Sequence, residues 1–383
     1  MTPTARASPL PALVALPAIL LFASSCTPAP AGGVYTDRAR LATARQETGA
    51  AILRGHVYVV GGLSAGFSAL RSVERYDADA DVWMSVADLP AGRDHMGVAV
   101  ANDRLFAIGG YAADFAAKRE VFAYDPDANA WSPAADLPEG RGGCWAVTVA
   151  ERIYVFGGTN PAGAATGSTF IYDPVANEWS TGAAMPTPRE HLVAVALGTD
   201  VYVIGGRAGA SFRSNERYDT LANTWSARAP MPTARAAPGA AAFAGRIYVL
   251  GGETPQLFAV NEVYDPVLNT WTTNTPLPVP RHGMPAVTLP SGILLPGGGV
   301  IQGLQPTTHV DLFTPTLLAD LNCDGRINNF DIDPFVLALT DPAGYAGAYP
   351  QCRREQADVN GDGAVDNFDI DGFVACVTAG GCS

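Results

Sequence analysis

Two twelve-residue stretches of this chain carry oxygen-bearing side chains at the spacing that wraps a single hard cation. The first, residues 320–331, places Asp320, Asn322, Asp324, Asn328 and Asp331 at positions 1, 3, 5, 9 and 12, with Gly325 at position 6. The second, residues 358–369, repeats the pattern with Asp358, Asn360, Asp362, Gly363, Asp366 and Asp369. Carboxylate and amide oxygens at these positions curl around one ion, the glycine makes the sharp turn, and position 7 contributes only its backbone carbonyl. Arg326 and Ala364 are therefore admissible at position 7. Two calcium ions are the expected cofactors, one for each stretch. Both stretches continue as Asn-Phe-Asp-Ile-Asp-x-Phe-Val, 38 residues apart. A merely solvated acidic tail does not explain that repetition. A helix is expected after each loop, at about Ile332–Thr340 and Ile370–Val377.

A second set of chemically capable residues is a ladder of arginines: Arg45, Arg93, Arg141, Arg189, Arg235 and Arg281. Guanidinium forks suit carboxylates bidentately. If the ladder ringed one mouth of a central channel, it would bind an acidic peptide or an acidic sugar; pairing with backbone or a neighbouring carboxylate is the plainer alternative. Gly62-Leu63-Ser64-Ala65-Gly66 fits a nucleophile-elbow pattern. That elbow needs a strand-to-helix turn on an α/β sheet, and here the motif follows a glycine doublet in a loop, so it is read as chance. The chain has neither a His-Glu-x-x-His motif nor a phosphate-binding glycine loop. His95, His191 and His282 lie just after ladder arginines; such histidines could face a central mouth, though packing and surface roles are commoner.

The elements that must position these groups repeat with a fixed period. Glycine doublets begin at Gly61, Gly109, Gly157, Gly205, Gly251 and Gly297, each sixteen residues after a ladder arginine. Both ladders step by 48, 48, 48, 46 and 46 residues, and such a period means units that bury their faces against one another. Each unit reads as an apolar strand, a turn, and a second apolar strand ending at the doublet. A variable loop and a Tyr-Asp strand follow, as at Tyr76, Tyr124, Tyr172, Tyr218 and Tyr264. Seven residues beyond each tyrosine stands Trp83, Trp131, Trp179, Trp225 or Trp271. Near-continuous apolar strands suit sheets covered on both faces, and radial repetition of short strands makes a β-propeller. In the sixth unit Phe313 and Thr314 replace Tyr-Asp and no tryptophan follows. Residues 34–39 are expected to supply its missing outer strand and close the ring.

These residues carry the signature of the kelch repeat, and residues 34–315 resemble a six-bladed kelch propeller. Residues 316–383 resemble a dockerin, a small α-helical module with two calcium loops that docks on a cohesin partner. Aspartate at position 12 carries part of that likeness. In dockerins, loop positions 10 and 11 carry partner recognition, which here would fall on Asn329, Phe330, Asn367 and Phe368. The chain departs from the family at these positions, since small hydroxyl residues are commoner there. The identity of the two copies implies that either could engage a partner. Cys323, Cys352, Cys376 and Cys382 all lie in this tail. Four cysteines allow three pairings; the expected one joins Cys323 to Cys382, clasping the ends, and Cys352 to Cys376.

Composition narrows the function. The 383 residues carry a net charge of −13, which disfavours nucleic acid as a partner. From Asp320 onward eleven acidic residues stand against three basic ones, so −8 of that charge sits in the tail. Residues 1–26 read as an export signal: Arg6, an apolar run too short to span a bilayer, then small residues. Plain secretion and lipid attachment at Cys26 both fit, although Ala23 stands where a lipobox has leucine; residues 27–33 are a linker. Cys144, alone in the third unit, is expected to be a buried, inert thiol. The expected function is non-catalytic. The propeller binds a protein or glycan, and the tail tethers the molecule to a cohesin-like or other surface protein. The alternative is a carbohydrate-active kelch enzyme, of oxidoreductase or epimerase type, acting on an acidic sugar.

Overall fold

Valine, isoleucine and tyrosine dominate the second strand of each repeat, as in His56–Val60 and Asp200–Ile204, and four of the five residues in each are buried. Strands covered on both faces have no polar side, and this pattern sets the whole architecture. The computed structural model describes residues 32–350, 352–379 and Cys382. The expected export signal and Cys26 lie outside them. Six four-stranded antiparallel sheets form six blades. Blade 1 comprises Gly49–Leu53, His56–Val60, Val73–Asp77 and Val82–Val86, in that order from the axis outward. Blades 2 to 5 begin at Gly97, Trp145, Val193 and Gly239 and repeat the same order. Blade 6 takes Val287–Leu289, Gly292–Pro296 and Val310–Pro315 from the C-terminal side and Gly33–Asp37 from the N-terminal side. The expected closure is therefore present, with Tyr35 opposite Phe313.

Recurrent contacts tie each blade to the one before it. The indole N–H groups of Trp83, Trp131, Trp179, Trp225 and Trp271 donate to the carbonyls of Ala39, Ala87, Ala135, Ala183 and Ala229 at 2.7–2.8 Å. Two residues before each tryptophan stands an Asx residue in the left-handed region: Asp81, Asn129, Asn177, Asn223 or Asn269. Its side-chain oxygen accepts the tyrosine hydroxyl of its own blade, and also the amide of the same alanine. In blade 6, Tyr35 stands where the tryptophan would, packs tilted against Phe313 with ring centroids 4.6 Å apart, and donates to the Thr275 carbonyl at 3.1 Å.

The glycine doublets are forced by close approach. The second glycine donates to the carbonyl of the next blade's ladder arginine, from Gly62 to Arg93 at 2.8 Å and round to Gly298 and Arg45 at 2.9 Å. A Cβ on Gly61 would sit 2.4 Å from the Arg93 carbonyl oxygen, and φ there is +56°. Only glycine fits such a position.

The tail packs beside blades 5 and 6. Leu317 joins their core, and Arg246 donates to the Cys382 carbonyl at 2.6 Å. Helix α1 (Ile332–Thr340) and helix α3 (Ile370–Ala379) follow the two loops as expected, with a further short helix α2 (Pro342–Ala348) between them. Phe335 of α1 and Phe373 of α3, 38 positions apart, stack face to face at 3.9 Å. Equivalent residues of the two copies thus meet at a local pseudo-twofold axis. The disulfides correct the expected pairing: Cys323 joins Cys352, and Cys376 joins Cys382. The last cysteine thus pairs with the neighbour six residues away rather than with the distant Cys323. Among the described residues no helix is long and apolar enough to cross a membrane.

Candidate functional site

The ladder arginines do not ring the channel. Arg45, Arg141, Arg189, Arg235 and Arg281 are at most 1% exposed and Arg93 is 4% exposed. Each guanidinium folds back under its own blade. Arg189 donates to the carbonyls of Gly205, Thr187 and Val203 and to Glu216 at 2.6 Å. Arg45, Arg235 and Arg281 pair in the same way with Glu74, Glu262 and Asp311. Arg93 and Arg141 lie instead over the rings of Phe122 and Phe170, at 5.6 and 4.9 Å, with Glu120 and Glu139 as their carboxylates. The carboxylate or ring that each guanidinium faces, Glu74, Phe122, Phe170, Glu216, Glu262 or Asp311, stands two residues before the repeat tyrosine, or before Phe313 in blade 6. The expectation of a channel-mouth ligand site made by these arginines is thus corrected: their guanidiniums are buried and paired inside the blades.

The mouth belongs to residues two positions later. Glu47, His95, Gly143, His191, Ala237 and Gly283 all have φ between +48° and +64°. Each donates its amide to the carbonyl of the preceding one, Glu47 to Gly283 at 2.6 Å and the other five at 2.8–2.9 Å. This closed ring of backbone hydrogen bonds joins all six blades. The cavity inside it is small, about 30 Å³, and includes Met96, Cys144, Trp145 and Met284 in its wall. Beneath it a channel of about 360 Å³ is lined by small and branched residues of the inner strands, and Met96 and Trp145 border both spaces. No ladder arginine lines either one.

Three ring side chains gather on one side of this mouth. His95 Nε2 lies 3.5 Å from Glu47 Oε2, and the rings of His95 and His191 are 4.7 Å apart. Glycines make the room. A Cβ on Gly283 would meet Glu47 Oε1 at 2.4 Å, and one on Gly143 would meet His191 Nδ1 at 3.1 Å. Each histidine rests on the carboxylate just before it in sequence: His95 Nδ1 on Asp94 at 2.6 Å, and His191 Nδ1 on Glu190. Arg207 donates to Glu190 at 2.6 Å, contacts Glu253 at 3.2 Å, and reaches His191 Nε2 at 3.2 Å. His282, fully buried, lies 3.4 Å from Glu253. Burial opposes charge on His95, but Glu47 and then Asp94 outweigh it and raise its pKa above the ordinary value. Burial, then His95, Arg207 and His282, push His191 far below its ordinary value. Burial raises the Cys144 thiol to about 11, in keeping with an inert cysteine.

The tail loops form two matching amide cradles. Asp331 accepts from the amides of Leu321, Asn322 and Asn328, and Asp369 accepts from those of Val359, Asn360 and Asp366. Asp320 accepts from Asp324 and Gly325, and Asp358 from Gly361, Asp362 and Gly363. Asn322 and Asn360 accept from the amides of Asp324 and Asp362, and these aspartates from the amides of Arg326 and Ala364. Asn328 and Asp366 cap the turns at Phe330 and Phe368. Burial first, then Asp331 and Asp324, raise the Asp320 carboxyl from its ordinary 3.8 to about 7. Phe330 and Phe368 are 78% and 80% exposed.

No curated protein matches the chain. The solved structure of YjhT is similar, with a TM-score of 0.64 at 18% identity over 72% of this chain and 96% of that one; at that identity the likeness is one of fold. A family model described as the KLHDC2/KLHL20/DRC7 Kelch-repeats domain matches residues 37–182 and 95–298. With that match spanning blades 1 to 5 and reaching into blade 6, the chain belongs to the Kelch-repeat family.

Proposed function

We propose that the chain is an exported, non-catalytic binding protein. Its propeller holds a protein or glycan ligand, and its dockerin-like tail docks, in a calcium-dependent way, on a cohesin-like or other surface partner. The observation that carries this reading is the duplicated apolar face of the tail. Phe330, Ile332 and Val336 are 78%, 43% and 50% exposed, and Phe368, Ile370 and Val374 are 80%, 39% and 55% exposed. Apolar groups displayed twice, in equivalent places, suit a docking surface that works from either copy. Asn329 and Asn367 flank the two phenylalanines. The two disulfides suit an oxidising compartment, in line with the N-terminal export pattern.

The loops fit calcium. Their side-chain donors are all oxygen, Gly325 and Gly363 turn at φ +81° and +88°, and Asp320 is crowded by like charges that a cation would relieve. Asp320, Asn322, Asp324, Asn328 and Asp331 would hold one ion with the Arg326 carbonyl. Asp358, Asn360, Asp362, Asp366 and Asp369 would hold the other with the Ala364 carbonyl. The ion supplies charge neutralisation that fixes each loop, and the chain's own residues present the phenylalanines. On the propeller, Glu47 lines the mouth and Asp94, Glu190 and Glu253 stand just behind its wall. They repel an acidic sugar and favour a neutral or basic ligand. Calorimetry of the whole chain tests the tail reading: two calcium ions per chain are expected, one lost on Asp331→Ala and the other on Asp369→Ala. No uptake would overturn it.

A further inference from the structure

We propose that the channel mouth binds one divalent transition-metal ion through Glu47, His95 and His191. The ligand atoms of these three residues lie within 4.8 Å of one another. Ligands placed about 2.0–2.2 Å from a shared ion stand roughly 3–4.4 Å apart, so small side-chain rotations close the set. Two imidazoles and one carboxylate are the donors of open three-ligand sites for zinc, cobalt or iron(II), not of calcium or magnesium sites. The inference stands apart from the tethering reading, because its donors and location differ from those of the tail loops.

The surrounding residues prepare the ligands. The Nδ1 atom of His95 donates to Asp94, which directs the lone pair of Nε2 toward Glu47. The Glu190 carboxylate stands against Nδ1 of His191 at the equivalent place. A carboxylate behind a ligating histidine fixes its tautomer and ring orientation. Arg207 can only donate, so His191 Nε2, 3.2 Å from Nη2, is an acceptor whose lone pair an ion can take. Arg207 keeps Glu190 and Glu253 when that bond is released. With the imidazoles neutral, Glu47 in the cavity wall and Asp94, Glu190 and Glu253 behind the histidines and Arg207 stand against one guanidinium, an excess of negative charge that favours a cation. Gly143, Ala237 and Gly283 occupy the other ring positions and leave the remaining coordination positions to water or a ligand.

The test is a cobalt(II) titration of the whole chain in excess calcium, which occupies any oxygen-only site, read by the visible absorption of nitrogen-ligated cobalt and by metal analysis after dialysis. One cobalt per chain, displaced by zinc, is expected. His95→Ala and His191→Ala should lose the absorption band, and Asp94→Asn should weaken binding by about 10–100-fold. The alanine variants keep the metal-free fold, because Ala237 holds the same ring position at φ +48°; their unliganded melting curves check this. No nitrogen-type absorption in the wild type, or a band that survives in both alanine variants, overturns the proposal.

Discussion

Replacing Arg235 by methionine should cost the propeller about 3–5 kcal/mol, the range for breaking a buried ion pair by removing one partner. Glu262 is 2% exposed and would keep only the Thr233 hydroxyl at 2.7 Å. The carbonyls of Val249 and Thr233 would lose their donors. For a domain of this size the loss corresponds to a fall in melting temperature on the order of 6–10 °C. The molecule contains its own control. Blade 3 keeps the ladder arginine over Phe170 and places its carboxylate at Glu139, two residues before that arginine. In blade 5 the corresponding positions are Glu262 and Thr233. Glu262→Phe alone leaves Arg235 buried without a counter-charge and should cost nearly as much as R235M. The double variant T233E/E262F recreates the blade 3 arrangement and should recover most of the loss, since a desolvated cation over an aromatic ring contributes up to about 2 kcal/mol. Thermal and urea melts of the single and double variants measure the coupling. An R235M cost below about 1 kcal/mol, or a double variant no more stable than E262F, would refute the reasoning.

The closing strand gives a second prediction. Tyr35→Phe removes one hydrogen bond to Thr275 and should cost about 1 kcal/mol, whereas deleting residues 33–37 opens blade 6 and should lower the melting temperature far more. Gly283→Val should destabilise by more than about 2 kcal/mol, because φ is +57° and the new Cβ meets Glu47 Oε1 at 2.4 Å; urea melts read it directly. In chelator, the tail should be most stable below about pH 4 and lose stability as pH rises toward about 7, since the folded pKa of Asp320 lies above its ordinary 3.8 and the fold prefers the proton. Calcium should abolish that slope in melts followed across pH, and an unchanged slope would contradict the loop assignment.

Much of this was legible in the residues. The step of 46–48 positions, the doublets and the Tyr-to-Trp spacing place every blade, and the odd sixth repeat signals closure by the N-terminal strand. The direction of the arginines was not legible, because a guanidinium reaches either the axis or its own blade from the same backbone position. The available signal was Glu74, Phe122, Phe170, Glu216, Glu262 and Asp311, always at one offset from the repeat tyrosine or its replacement. The Asx residue two before each tryptophan was likewise present at fixed spacing and unread. The mouth cluster was marked by Arg-Asp-His at 93–95 and Arg-Glu-His at 189–191. Reading it requires knowing that this position takes φ near +50° and turns its side chain toward the axis. Disulfide pairing depends on which cysteines the fold brings together, which spacing alone leaves open.

The ring of amides at the mouth runs in one rotational sense: every N–H donates to the blade before it, and the sixth link closes on the first. Such a homodromic cycle has bond dipoles that lie along the circumference and sum to nearly zero. Unlike the end of a helix, where aligned peptides project a field, this backbone holds the mouth rigid without favouring either sign of charge along the axis. The potential felt by an arriving ligand is then written almost entirely by a few side chains. Exchanging Glu47 or His191 can reverse the preference of the site while the scaffold beneath it stays the same.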